Sequence, residues 1–257
     1  MELRSLRILT LNTHKGFSAL KTKFVLSELR DAIRSISADL VFLQEVSGEN
    51  KRNSSRVENW PKVPQYEYLA DTIWPEFAYG MNAVYTEGHH GNAILSKFPI
   101  RHKHNENIST YALEKRGLLH CEIGNAFSNE QAIHCICVHL GLLGRHRKQQ
   151  FSMIADYVEE NIPANTPLIV AGDFNDWLQN GDRTFCQRLG IRESHKIRYG
   201  MFPKTFPSKL PLLSLDRIYV RGLTVLHAET LNGQPWSNLS DHNPLVAETL
   251  PLDWHYE

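Results

Sequence analysis

The sequence has few cysteines, no long hydrophobic run and no excess of either charge. None of its 4 cysteines has the spacing of zinc ligands, and their number fits a reducing compartment. No segment approaches the roughly 20 apolar residues that cross a bilayer, and the N-terminus lacks the uninterrupted apolar core of a signal peptide. We therefore expect a cytoplasmic protein without a transmembrane segment.

The balance of charge bears on the kind of partner. Lys plus Arg and Asp plus Glu number 28 each, which gives a formal net charge of zero. A chain without an overall basic field has no general attraction for nucleic acid. The basic segments Arg52–Arg56 and Gly144–Gln150 can still form a local patch, so a nucleic-acid substrate stays open.

Hydrophobic residues make up 42% of the chain, which is enough for a substantial core. We find no internal repeat, low-complexity tract or break in composition, and therefore predict a single domain over residues 1–257. The most polar stretch, Gly48–Trp60, predicts a long loop.

The apolar pattern predicts many strands and a few helices. Apolar residues at helical spacing predict a helix over Thr22–Ser35 and another after Arg145. Predicted strands cover Leu6–Asn12, Asp39–Val46, Asn92–Ser96, Gly117–Ile123, Ala132–Leu140, Pro167–Ala171, Leu215–Val220 and Pro244–Thr249. This mixture indicates an α/β sandwich.

Polar side chains recur where these predicted strands end. They are Asn12, Glu45, His139, Asp173 with Asn175, and Asp241 with His242 just before the last strand. Such groups, distant in sequence, can converge at one edge of a sheet. Carboxylate and amide oxygens suit a hard cation such as Mg²⁺, and histidines suit proton transfer near neutral pH.

Each of these residues also has a structural interpretation. Asn12 can cap a turn, Glu45 can be a solvated strand end, and His139 can be a hydrogen-bonded core histidine. Asp173 and Asn175 can simply make a turn. Asp216 can pair with Arg217, although its strand-like neighbours predict a semi-buried carboxylate that needs a partner.

The ordered motifs resemble the endonuclease/exonuclease/phosphatase family, the metal-dependent phosphoesterases that include pancreatic-type deoxyribonuclease, abasic-site endonucleases and neutral sphingomyelinases. The motifs are LTLNTHKG, LVFLQEV, HGNAILSKFPI, CVHLG, VAGDFND, LDRIYV and SDHNPLVAE, and they cover nearly the whole chain. NTHKG is similar to a bacterial subgroup of predicted metal-dependent hydrolases. The resemblance implies a four-layer αββα sandwich, in which two mixed β-sheets pack face to face with helices outside.

The resemblance also implies roles for site residues. The residues implied at a Mg²⁺ or Mn²⁺ ion are Asn12, Glu45 and Asp241. The residues implied in catalysis are Asp173 to orient or deprotonate the attacking water, Asn175 to hold that water or a phosphate oxygen, His242 as the catalytic histidine, Asp216 to orient it, and His139 at the phosphate or leaving group. The residues implied at the substrate are His14, Lys15, Asn92 and Arg116.

One feature departs from pancreatic deoxyribonuclease. There a carboxylate pairs with the histidine that matches His139, and the corresponding strand here reads HHGNAILS without an evident equivalent. The partner of His139 therefore stays open at this point.

The resulting expectation is a Mg²⁺-dependent phosphoesterase that hydrolyses a phosphodiester or phosphomonoester by in-line attack of water. A small molecule or lipid head group is favoured as substrate, because the net charge is zero and two loops rich in aromatic, Pro and Leu residues, Asp71–Gly80 and Tyr199–Ser214, are expected near the site. A nuclease and a catalytically inactive binding module of the same fold are the alternatives. We expect a monomer.

Overall fold

Two six-stranded sheets carry the fold in the computed structural model, which describes residues 5–20, 22–124, 126 and 132–252. The first sheet has the spatial order β11 (Leu223–Thr230), β12 (Leu245–Pro251), β1 (Leu6–Asn12), β2 (Leu40–Asn50), β4 (Gly88–Ser96) and β3 (Glu76–Tyr85). Strand β1 pairs in parallel with β2 and antiparallel with β12. The first sheet is therefore mixed.

The second sheet is also mixed. Its spatial order is β5 (Ile100–Asn107), β6 (Gly117–Ile123), β7 (Ile133–His139), β8 (Leu168–Asp173), β10 (Asp216–Arg221) and β9 (Arg192–Glu193). Strands β7 and β8 are parallel, and β10 runs antiparallel to β8. The carboxyl ends of β7 and β8 therefore meet at one edge of this sheet.

Helices lie on the outer faces of both sheets. They are α1 (Leu26–Ile36), α2 (Lys51–Ser54), α3 (Gln65–Ala70), α4 (Gly144–Asn161), α5 (Asp182–Leu189), α6 (Ser194–Tyr199) and α7 (Trp236–Leu239), with a 3-10 turn at His14–Gly16. Residues of α1 and α3 pack on the first sheet, and residues of α4 and α5 pack on the second. None of the helices within the described ranges is long and apolar enough to cross a membrane.

A hydrophobic core also lies between the two sheets. Phe42 and Ile94 of the first sheet pack there with Leu119 and Ile169 of the second. The central strands are thus buried on both faces, which explains their nearly continuous apolar sequences. The predicted four-layer αββα sandwich is confirmed.

Three predicted segments differ in extent from the structure, and one of them is the strand predicted over Asn92–Ser96, which begins at Gly88. The first helix begins at Leu26 and not at Thr22, because Phe24 forms a β-bridge with Phe17 and Val25 donates its N–H to the carbonyl of Gly16. The predicted Gly48–Trp60 loop contains the end of β2 and the short helix α2. The side chain of Asn50 accepts the N–H of Asn53 and so caps α2 despite the polar composition.

Four strands were not predicted, and all four lie at sheet edges. They are β3, β5, β9 and β11. An edge strand has one unpaired side and more exposed side chains, so its sequence is polar and its apolar alternation is weak. Strand β5, IRHKHNEN, shows this most clearly. The helices α3, α5, α6 and α7, of eight residues or fewer, were also missed.

Candidate functional site

Three neighbouring strands of the second sheet bring His139, Asp173 and Asp216 side by side. The register pairs His139 with Asp173 across β7 and β8, and Asp173 with Asp216 across β8 and β10. All three side chains are buried. These three residues, which are 34 to 77 positions apart in the chain, form one row at the sheet edge because their strands end together.

The first sheet contributes Asn12 to this row. The Nδ2 of Asn12, at the end of β1, donates to Oδ2 of Asp173 over 3.2 Å. The hydroxyl of Ser240 donates to the backbone carbonyl of Asn12 over 2.6 Å, which holds the segment before β12 against β1. The site is thus assembled from both sheets.

The segment around Asp173 has the backbone geometry of a tight turn after a strand. Gly172 has φ +144°, and a Cβ there would lie 2.0 Å from the carbonyl oxygen of Val138. Asn175 has φ 50°, donates its backbone N–H to Oδ1 of Asp173 over 2.9 Å, and donates Nδ2 to the carbonyl of Leu140. The predicted turn therefore exists, and Asp173 at its start also lies in the row.

Asp216 and His242 form a close buried pair. Nδ1 of His242 lies 2.8 Å from Oδ2 of Asp216, while Nε2 lies 3.9 Å from Oδ2 of Asp173. Burial alone lowers the pKa of His242, but the neighbouring charges of Asp216 and Asp173 and the Asp216 hydrogen bond raise it to about 10. His242 is therefore an imidazolium at neutral pH.

The alternative partner for Asp216 was Arg217, and the structure excludes it. Arg217 points to the other face of β10, where its guanidinium binds the carboxylate and the carbonyl of Asp176. Adjacent residues of a strand face opposite sides, so Asp216 and Arg217 belong to different networks.

His139 has the opposite protonation state from His242. Burial, followed by the charge of Arg116, lowers the pKa of His139 to about 3 against the attraction of Asp173 and Glu45. Its Nε2 lies 3.5 Å from Oδ2 of Asp173. The carboxylate beside His139 is thus Asp173, which answers the question that the HHGNAILS strand left open.

Glu45 was expected at a strand end, and this is wrong. Strand β2 continues to Asn50, and Gln44 with Glu45 forms a bulge opposite Asn92, since Leu43 pairs with Ala93 and Val46 with Gly91. Glu45 has φ 55° in this bulge. Burial raises its pKa, but His139 and Lys15 together lower it well below the usual range, so the carboxylate is ionised at neutral pH.

The 3-10 turn after β1 places two further predicted residues. Nζ of Lys15 lies 2.6 Å from Oε2 of Glu45, and Nδ1 of His14 lies 3.6 Å from Oδ1 of Asp241. His14 also donates its backbone N–H to Oδ1 of Asn12 over 3.1 Å. His14 and Lys15 thus each contact a carboxylate that the resemblance implies at the metal.

Asn92 and Arg116 have different surroundings. Nδ2 of Asn92 donates to the carbonyls of Gly117 and Cys137, so both of its N–H groups join the two sheets and are not free to bind a phosphate. Arg116 is half-buried, and its Nε–H has no hydrogen-bond partner among the described residues. Its charge acts on His139. Arg116, and not Asn92, is therefore suited to an anion.

Several site neighbours were missed in the sequence. His90 lies near Glu45, Lys15 and Arg116. Burial, together with the charges of Lys15 and Arg116, lowers the pKa of His90 to about 4 against the charge of Glu45. The ring of Phe206 lies 5.0 Å from that of His242. The doubled histidine in HHGNAILS was the available signal for His90; nothing in the sequence indicated the contact of Phe206 with His242.

One predicted loop lies away from the site. Trp74, in the Asp71–Gly80 segment, is buried and donates Nε1–H to the carbonyl of Ala38, near the start of β2. The second half of that segment is β3. The Tyr199–Ser214 segment does reach the site, since Phe206 contacts His242 and Thr205 Oγ1 accepts the N–H of Asp216.

The chain is similar to known proteins over nearly its whole length. Residues 9–242 match the model of the Endonuclease/Exonuclease/phosphatase family. An Escherichia coli (strain K12) protein named Uncharacterized protein YbhP is 49% identical over 244 residues, which are 95% of this chain and 96% of that protein.

Two solved structures share the fold. The Bacteroides thetaiotaomicron VPI-5482 mannosyl-6-phosphatase Bt3783 superposes with a TM-score of 0.70 at 15% identity, covering 96% of this chain and 100% of its own. D. rerio TDP2 complexed with single strand DNA product has a TM-score of 0.68 at 17% identity, covering 95% of this chain and 98% of its own. At these identities the likeness concerns the fold alone.

Proposed function

Because the chain belongs to the endonuclease/exonuclease/phosphatase family, we propose that it is a hydrolase that cleaves a phosphate ester by in-line attack of water, supported by Mg²⁺ or Mn²⁺. The observation that carries this proposal is the buried cluster of Asp173, Asp216 and His242, joined by Asn12 from the other sheet. Such a cluster combines a carboxylate base, a cationic histidine and an orienting carboxylate.

The residues present fit a hard divalent cation. Glu45, Asn12 and Asp241 would hold it through oxygen atoms, which Mg²⁺ and Mn²⁺ prefer. Glu45 is ionised, and because Nζ of Lys15 lies 2.6 Å from its Oε2, a cation would share this carboxylate with Lys15. When bound, the ion supplies charge neutralisation at the phosphate oxygens.

Asp173, Asp216 and His242 also offer one ligand atom each within 4.8 Å of one another. We assign this cluster to proton and charge handling and not to the metal. His242 already uses Nδ1 for Asp216 and is protonated at neutral pH, and an imidazolium does not ligate metals.

The proposed reaction divides among the residues as follows. Asp173 orients a water molecule and accepts its proton while the water oxygen forms a bond to phosphorus and the ester P–O bond breaks. The leaving group departs as an alkoxide, which takes a proton from solvent water. The imidazolium of His242 donates a hydrogen bond to the phosphate and stabilises the developing negative charge. Neutral His139 orients Asp173, Asn175 fixes the turn that holds Asp173, and Arg116 binds a phosphate oxygen.

A small molecule or lipid head group is the proposed substrate class, ahead of nucleic acid. The formal net charge of zero supports this choice, because proteins that bind DNA through several phosphates normally present a basic surface. The similar D. rerio TDP2 carries single strand DNA product, so nucleic acid is the second candidate.

Metal dependence is tested with the variant Glu45→Gln. We expect hydrolysis of bis(p-nitrophenyl) phosphate to cease in excess chelator and to return with Mg²⁺ or Mn²⁺. Glu45→Gln should weaken Mn²⁺ binding, measured by calorimetry, by about tenfold or more. Glu49→Gln, on the exposed end of the same strand, is the matched control and should bind as the parent chain does. Full activity in excess chelator would disprove the metal requirement.

The substrate class is tested by comparing kcat/KM across a panel. Plasmid and abasic DNA are compared with phospholipids, inositol phosphates and simple phosphodiesters at matched Mg²⁺ and salt. We expect the highest values in the second group, with each activity lost in His242→Ala. Efficient DNA cleavage that depends on His242 and falls steeply with salt would reverse the choice.

A further inference from the structure

Six large hydrophobic side chains are exposed on three loops beside the proposed site. These residues, which we call the leucine patch, are Tyr111, Leu113, Leu142, Leu143, Trp177 and Leu178. Leu113, Leu142 and Leu178 are 86%, 63% and 63% exposed. An isolated exposed leucine is ordinary, but a continuous group marks an interaction surface.

Contacts through the start of α4 hold the three loops together. Arg147 donates to the carbonyl of Leu142, and its guanidinium lies 4.5 Å from the centre of the Trp177 ring. The ring of His146, the preceding residue, lies 4.8 Å from that of Tyr111. The patch is therefore one surface and not three separate loop tips.

This surface adjoins the site. Two of its loops directly follow β7 and β8, which end at His139 and Asp173. The third loop precedes β6, whose Leu118 pairs with Val138 near the same end of β7. A ligand on the leucine patch would thus lie beside the reacting groups.

The charges around the patch have one sign. Lys115, Arg145 and Lys148 are exposed, whereas the carboxylates of Glu114 and Asp176 are buried. Segments 108–116, 140–150 and 174–181, all fully described, contain no exposed carboxylate. Exposed leucines bordered by cations complement a surface that is apolar below a layer of negative charge.

A polar cleft of about 410 Å³ opens next to the patch. Its lining includes Asn82, Asn105, Asn107, Ser109 and Arg116. Amides and a hydroxyl bind hydroxyl groups, and Arg116 binds phosphate, so the cleft suits a hydroxylated phosphate head group beside a hydrophobic anchor.

We propose that the leucine patch docks the protein on an anionic phospholipid surface and presents phosphoesters of that surface to the site. Four of the six residues are leucines, which insert among acyl chains, whereas single-stranded nucleic acid needs successive aromatic platforms for its bases. The docking is inferred from the leucine patch alone. The presentation of phosphoesters for hydrolysis rests on the proposed function.

The docking is tested by flotation with vesicles of phosphatidylglycerol or phosphatidylcholine. We expect binding to phosphatidylglycerol that weakens with salt, and little binding to phosphatidylcholine. The variant Leu142→Ser/Leu143→Ser/Leu178→Ser should lower vesicle affinity at least about tenfold, because it removes the inserted apolar groups. Arg145→Glu/Lys148→Glu changes only exposed side chains outside the polar cleft and should lower affinity similarly.

Leu252→Ser is the matched control, since Leu252 is 58% exposed after β12, at the end of the first sheet opposite to Asn12. It should bind vesicles as the parent chain does. All variants should hydrolyse soluble bis(p-nitrophenyl) phosphate with kcat/KM within about twofold of the parent. A parent chain inactive on that diester and on every phosphoester of the substrate panel would refute the proposed function, while vesicle binding would still test the docking.

Two results would overturn the docking: no binding of the parent chain to phosphatidylglycerol vesicles, or equal binding by the parent and the triple leucine variant. Tight binding to single-stranded DNA that Trp177→Ala abolishes and the leucine variant retains would also overturn it, in favour of a nucleic-acid surface.

Discussion

His139 and His242 have opposite protonation states although both lie beside Asp173. His242 has a second carboxylate, Asp216, at 2.8 Å, whereas the charge of Arg116 acts on His139. Both histidines are almost fully buried. The neighbouring charges, and not the degree of burial, therefore separate their pKa values of about 10 and about 3.

The roles proposed for Asp173 and His242 in hydrolysis are tested by replacing each side chain. We expect Asp173→Asn and His242→Ala each to reduce turnover by at least about a hundredfold, the lower range for acid–base and electrostatic groups. His227→Ala, which changes an exposed histidine, is the matched control. Circular dichroism should report folded protein for all three. Near-normal turnover in either site variant, with Mn²⁺ bound, would refute the role at that position.

At the scale of the element, strand β8 reaches Asp173 through a glycine that permits close contact with β7. An added Cβ at Gly172 would lie 2.0 Å from the carbonyl oxygen of Val138, and φ at this position is +144°. Neither the backbone conformation nor the space suits another residue.

We expect Gly172→Ala to lower the free energy of unfolding by at least about 2 kcal/mol and to reduce turnover, because β7 and β8 must separate. Urea denaturation and steady-state kinetics measure the two effects. Gly144→Ala, at the start of α4 with its nearest neighbouring atom at 3.7 Å, should change stability by less than about 1 kcal/mol. Equal stability of the two variants would contradict the steric argument.

Helix α6 begins at a carboxylate whose pKa is unusual. Glu193 accepts the N–H of Lys196 over 2.8 Å, and its burial raises the pKa from the usual 4.5 to about 7 against the charge of Arg217. The folded state therefore holds this proton more tightly than the unfolded state. Stability from Glu193 is fully present below about pH 4.5 and falls as the pH rises to about 7.

Glu193→Gln keeps an acceptor for Lys196 and removes the titration. We expect the unfolding free energy of the variant, relative to the parent, to rise by about 2 kcal/mol between about pH 5 and about pH 8. Chemical denaturation at both pH values measures this difference. A constant difference across that range would mean that Glu193 keeps an ordinary pKa.

At the scale of the whole molecule, the site depends on how the two sheets pack. Asn12 and Glu45 come from the first sheet, while His139, Asp173 and Asp216 come from the second. The core between them includes Phe42, which is fully buried.

Phe42→Ala should lower the unfolding free energy by about 3–5 kcal/mol, the usual cost of a cavity after loss of a buried phenylalanine. Turnover should fall as well, because Asn12 and Asp173 must keep their 3.2 Å contact across the sheets. Phe77→Ala, on the edge strand β3, is the matched control and should cost less than about 1.5 kcal/mol. Equal destabilisation by the two variants would contradict the expectation that the core between the sheets contributes more stability than the edge strand.

The amino-acid sequence by itself determined the central strands, the long helix α4 and the polar residues at strand ends. Local patterns carry this information, because burial on both faces requires apolar runs and a helix requires apolar residues three and four apart. The edge strands escaped prediction, since solvent on one side relaxes those patterns. Motif resemblance supplied the fold class, which is confirmed.

Only the tertiary structure decided several of the partners of the polar residues. His139 lies beside Asp173, Glu45 lies in a bulge, and the N–H groups of Asn92 join the sheets. The pairing of Asp216 with His242 was already implied by the motif resemblance, and the structure has it. These outcomes depend on strand register and on the approach of residues far apart in the chain. A charge interacts through space over a few ångströms, and the order of residues along the chain does not specify those distances.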